Sequence, residues 1–151
     1  MSQRTVPTPI DETIATWSAD DFRLVGGRCQ QCATVTFPRL DGCPKCGSDD
    51  TRALELSQQG TLWTWTTQEF QPKRPYVGRH EQEPFTPYLL GYVELEEGVK
   101  VEARLVDCDT QSVHIGMPME LTRFDFQTAD ERGAVAMFAF RPCAPMLEVQ
   151  A

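Results

Sequence analysis

Four cysteines carry the clearest chemistry in this chain. Cys29, Cys32, Cys43 and Cys46 follow the spacing C-x2-C-x10-C-x2-C. A C-x-x-C turn presents two thiolates about one ligand angle apart, and two such turns complete a tetrahedron around zinc. Four thiolates leave no open coordination position, so the spacing predicts one structural Zn2+ per chain and no Lewis-acid role. Gly47 follows the second pair, where a knuckle turn favours glycine; Ala33 stands at the equivalent place after the first. The competing reading, two thioredoxin-like redox motifs, needs a strand–motif–helix context that the flanking residues do not provide. Residues 22–52 are too few to bury a sufficient core, which is why such a module needs a metal staple. Cys108 and Cys143 stand alone in apolar, strand-like runs and read as small buried hydrophobes.

The other reactive side chains form no catalytic pattern. His80 and His114 are the only histidines, and neither has a nearby Ser or Cys in a nucleophile context. Glu94, Glu96 and Glu97 read as a polar hairpin turn, and there is no glycine-rich phosphate loop. No catalytic residue is therefore expected in this chain. A proline-rich stretch from Gln71 to Pro87 gathers Lys73, Arg74, Arg79 and His80, with Tyr76, Phe85 and Tyr88 interleaved. It reads as a solvated loop or as a contact surface.

Around these residues the chain divides into three segments. Residues 1–21 are read as an N-terminal helical segment: Thr8 caps, Pro9 opens the helix, and Ile10, Ile14 and Trp17 share one face. Residues 22–52 form the ribbon, with short strands over Phe22–Val25 and Val35–Pro38. Residues 60–145 carry strands over Thr61–Phe70, Tyr88–Leu95, Val99–Val106, Met119–Phe126 and Ala134–Phe140. Five strands with a long gap after the first match a small Greek-key barrel, the OB-fold. Trp63 and Trp65, two apart on one strand, are expected to face the same side of the sheet.

Charge narrows the partners. The 151 residues carry a formal net charge of −8. Residues 22–52 hold five basic and three acidic side chains, whereas residues 60–151 hold eight and fourteen. A nucleic-acid module, for which ribbons and OB-folds are both suited, would meet repulsion over most of its surface. No run approaches the ~18 apolar residues of a membrane span, and Met1–Pro9 is too polar for a signal peptide. A cytoplasmic protein with no membrane or nucleic-acid partner is the expectation.

The segment Leu24-Val25-Gly26-Gly27-Arg28-Cys29-Gln30-Gln31-Cys32, then Phe37-Pro38-Arg39, then Cys43-Pro44-Lys45-Cys46-Gly47-Ser48, resembles the DUF35 family. Gly60-Thr61-Leu62, and Pro87-Tyr88 leading to Val93-Glu94-Leu95 and Gly98-Val99-Lys100-Val101, resemble its OB half. The resemblance spans roughly residues 10–145. It implies a mainly β protein: an N-terminal helix, a rubredoxin-like zinc ribbon and a five-stranded OB-fold barrel. It also implies a heteromer with a thiolase-fold catalytic subunit, and an acyl-CoA site shared with that partner. Lys73, Arg74, Tyr76, Arg79 and His80 then become candidates for contact with coenzyme A or the partner, because cations beside aromatic faces suit adenine and phosphate.

Overall fold

The computed structural model describes residues 7–18, 20–76, 78, 85–128 and 130–143. Ten strands run through them: β1 (Thr8–Pro9), β2 (Ala15–Thr16), β3 (Arg23–Cys29), β4 (Val35–Thr36), β5 (Thr51–Glu55), β6 (Gln59–Gln68), β7 (Tyr88–Leu95), β8 (Lys100–Leu105), β9 (Pro118–Gln127) and β10 (Ala134–Pro142). No helix occurs among the described residues.

The expected N-terminal helix is thus a misreading. β1 pairs parallel with β10, and the Ile10 N–H donates to the Ala136 carbonyl at 2.9 Å. The Thr13 N–H is taken by the Asp11 carboxylate, and β2 pairs antiparallel with β3. A helix this short is marginal alone, and here the sheets supply its backbone partners. Ile14 and Trp17 still pack on the core, as their spacing implied, but from extended chain.

β6, β7, β8, β10 and β9 close into a ring: β6–β7, β7–β8 and β9–β10 pair antiparallel, β8–β10 parallel, and β9 returns antiparallel to β6. This five-stranded order is that of an OB barrel. Alternation fills its interior, with Leu62, Val93, Val101, Met119 and Phe140 fully buried. Gly91 belongs here because an added Cβ would lie 2.6 Å from the Thr64 carbonyl oxygen.

One bulge re-aims two tryptophans. Leu62 opposes Val93 and Thr64 opposes Tyr92, so Trp63 is the extra residue. Trp63 therefore points outward, 51% exposed, edge-on to Tyr92 at 6.2 Å. Trp65 opposes Gly91 and packs against the core. The two face opposite sides, contrary to simple alternation.

The ribbon sheet is β2, β3 and β4, with β5 on the other edge of β3. Its seam with the barrel is closed by Leu56, which is fully buried, and by Phe37, edge-on to Phe138 at 5.6 Å. An Arg123 guanidinium N–H donates to the Trp17 carbonyl at 3.0 Å. Glu97, in the β7–β8 turn, accepts from the Ser57 N–H at 2.7 Å and the Ser57 hydroxyl at 2.9 Å. This two-pronged clasp fixes the linker between ribbon and barrel. Glu97→Ala is expected to lower stability by about 1–3 kcal/mol, since both donors lose a charged acceptor. A shift in the urea midpoint at constant slope would register it.

Candidate metal centre and outer-face pocket

The two knuckles are built alike. The Cys29 N–H donates to the Thr34 carbonyl and the Ala33 N–H to the Cys29 carbonyl; Cys43, Ser48 and Gly47 repeat both bonds. Gly47 has φ +77° and Ala33 has φ +64°, so both turns need a left-handed residue at the same step. Ala33 occupies it at a steric cost that Gly47 avoids.

The four sulfurs lie within 4.8 Å of one another. Cys29 and Cys46 are 3.5 Å apart at sulfur, as are Cys32 and Cys43. Those separations exceed a disulfide and approach the ~3.8 Å edge of a tetrahedron with ~2.3 Å zinc–sulfur bonds. The Thr34 hydroxyl and N–H bring the Cys32 thiol down to about 6. The Cys46 and Lys45 N–H groups lower Cys43. Cys46 receives the Ser48 N–H, yet is pushed up to about 12 by desolvation and the three neighbouring sulfurs. Four thiols this close cannot all ionise unaided, and a soft-ligand dication supplies the missing charge. The donor set fits zinc.

The lone cysteines are placed differently. Burial, with Asp109 and Asp107 nearby, pushes the Cys108 thiol up; burial and Glu120 do the same to Cys143. Such thiols are poor nucleophiles. His114 is exposed, its Nδ1 3.3 Å from the Ser112 carbonyl.

On the barrel's outer face, β7, β8, β9 and the loop before β7 surround a cavity of about 450 Å³. Tyr76, one of the five loop candidates, lines it beside Pro75 and packs edge-on to Phe126 at 5.8 Å. Lys73 and Arg74 are exposed, and Arg79 and His80 lie outside the described residues. The residue that sequence reasoning missed is Arg104, whose guanidinium sits 3.8 Å over the Tyr88 ring and 5.3 Å from that of Phe126.

Domain models match in the same order as the fold. The zinc-ribbon model, described as the ChsH2 rubredoxin-like zinc ribbon domain, covers residues 16–52, and the ChsH2 C-terminal OB-fold domain covers residues 54–124. A "DUF35 domain-containing scaffold protein" of Methanocaldococcus jannaschii is 31% identical over 123 residues, 80% of this chain and 82% of that one. The chain belongs to the DUF35 family.

Among its relatives is the benzoylsuccinyl-CoA thiolase subunit BbsA of Thauera aromatica, 30% identical over 82 residues, 54% of this chain and 51% of that one. A solved structure titled "Ltp2-ChsH2(DUF35) aldolase" has a chain that superposes with a TM-score of 0.59 at 30% identity. It covers 81% of this chain and 86% of that one. As a DUF35 protein the chain carries a rubredoxin-like zinc ribbon whose four clustered cysteines suit one structural Zn2+.

Proposed function

We propose that this chain is the accessory subunit of a heteromeric acyl-CoA enzyme of the cytoplasm, with the catalytic residues on a thiolase-fold partner. The reading is carried by the likeness of this ribbon-and-OB chain to proteins named as thiolase and aldolase components. Surface chemistry agrees with a docked protein. Phe70, two residues beyond β6, is 82% exposed, and Leu40, Trp63 and Ile115 are also exposed large hydrophobics. The acidic outer face works against nucleic acid: the Trp63–Tyr92 pair is flanked by Glu94 and Glu102, and Lys100 is drawn to Glu94 at 3.6 Å.

Lys73, Arg74, Tyr76, Arg79 and His80 serve, in this reading, as contacts for the coenzyme A phosphates and adenine or for the partner. The narrower reading is the small subunit of a benzoylsuccinyl-CoA thiolase, as in anaerobic toluene degradation, supported by the Thauera relative. An acyl-CoA retro-aldolase partner is the second reading, supported by the aldolase structure.

Co-expression with a thiolase-fold chain encoded beside it is expected to give a stable heteromer whose acyl-CoA activity disappears when this chain is omitted. Thiolysis or carbon–carbon cleavage by that heteromer would distinguish the two readings. A chain that stays alone and binds oligonucleotides at physiological salt would refute both.

A further inference from the structure

The outer-face cavity contains a charged group that neither the zinc centre nor the clasp employs. Arg104 projects from β8 opposite Leu90, and the rings of Tyr88, Phe124 and Phe126 stand 3.8, 5.4 and 5.3 Å from its guanidinium carbon. Stacking occupies the flat face of a guanidinium and leaves its N–H edge free to donate as a fork. Among the described residues, ion pairs engage Arg23, Arg52, Lys100, Arg132 and Arg141, and none engages Arg104.

We propose that this pocket binds a small organic acid, an apolar body bearing a single free carboxylate, with Arg104 receiving the carboxylate and the cavity wall receiving the body. Ile10, Leu90, Phe124 and Met137 supply an apolar wall, and about 450 Å³ is the size of a small-ligand site. The rings pre-position the guanidinium, which reduces the ordering cost of a forked contact. Among the described residues Arg104 is the only cation in the lining, and one charge restores less than the hydration a phosphate dianion would lose. Glu102, the one carboxylate among the described lining residues, accepts from the Tyr92 hydroxyl at 3.2 Å and is held toward that ring. The site does not depend on the identity of any partner subunit.

The test uses the full-length zinc-loaded chain, followed by amide NMR during titration with benzoate, benzamide or inorganic phosphate. Benzoate is expected to shift the amides of Leu90, Arg104, Phe124 and Met137 saturably. Benzamide, the same ring without the charge, should bind about tenfold more weakly or worse. Arg104→Gln should lose the benzoate preference, and Arg104→Lys should restore part of it by charge without the fork. Benzoate binding no tighter than benzamide would overturn the proposal, as would phosphate competing equally or benzoate binding alike to the wild type and a folded Arg104→Gln. If Arg104→Gln does not fold, the benzoate–benzamide comparison on the unaltered chain still decides. A failed titration leaves the co-expression result untouched, so the two readings fall separately.

Discussion

Cys43→Ser is expected to strip zinc from the chain and to abolish amide protection across residues 22–56, while protection at Val93 and Val101 persists. The reason is the poverty of the ribbon's own core. Its buried side chains are few, Leu24 and Leu56 among them, and two of the four cysteines, Cys29 and Cys43, are themselves part of that core. β4 contributes only Val35 and Thr36. Structural zinc supplies an apparent ~10–16 kcal/mol to small modules near neutral pH, comparable with the whole stability of a domain. A serine hydroxyl does not replace a thiolate, and one missing ligand leaves three crowded sulfurs without a full shell. Metal analysis and hydrogen exchange on the purified variant check it. Full zinc occupancy with unchanged protection would remove the cysteines from the metal site. Acid should act in the same direction as the mutation: protons compete with zinc for sulfur, so zinc is held at neutral pH and released as pH falls.

The metal site was legible because its information is local. Two knuckles of a few residues each carry their own hydrogen bonds, and the sequence spacing is nearly the geometry. The bounds of β7 were likewise readable, since Leu89, Val93 and Leu95 alternate with Tyr88, Leu90 and Tyr92 across a half-buried strand. Long-range partners were not readable. Ile10, Ile14 and Trp17 have a helical spacing, but the strand that claims Ile10 is β10, far along the chain. β5 shows no apolar alternation and forms because β3 offers it a five-residue antiparallel edge. The bulge at Trp63 reverses a face that strict alternation assigns. Arg104 needs three registers at once, Leu90 opposite Arg104, Met137 opposite Phe124, and Val135 opposite Phe126, before its aromatic surround exists. Local pattern reports what a residue prefers; the box around Arg104 is made by pairing.

Phe138→Ala is expected to cost about 3–5 kcal/mol, while zinc content stays that of the parent. Phe138 is buried in β10, where its neighbours Ala139 and Phe140 bond into the barrel ring and its ring meets Phe37 from the ribbon. Truncation leaves a cavity at the seam between the two units, and the barrel side cannot collapse without breaking the β9–β10 ladder. The edge-to-face pair contributes about 0.5–1.5 kcal/mol of that loss, so Phe37→Ala and Phe138→Ala should be less than additive when combined. Urea unfolding of the two single variants and the double variant measures this coupling. The sulfur cluster is untouched, which separates this variant from Cys43→Ser: metal retained, docking loosened. If the ribbon serves assembly through its fixed orientation, the partner should be held more weakly by a chain that still carries full zinc. A Phe138→Ala chain within 0.5 kcal/mol of the parent, a change typical of an indifferent surface site, would show that the seam bears little of the stability.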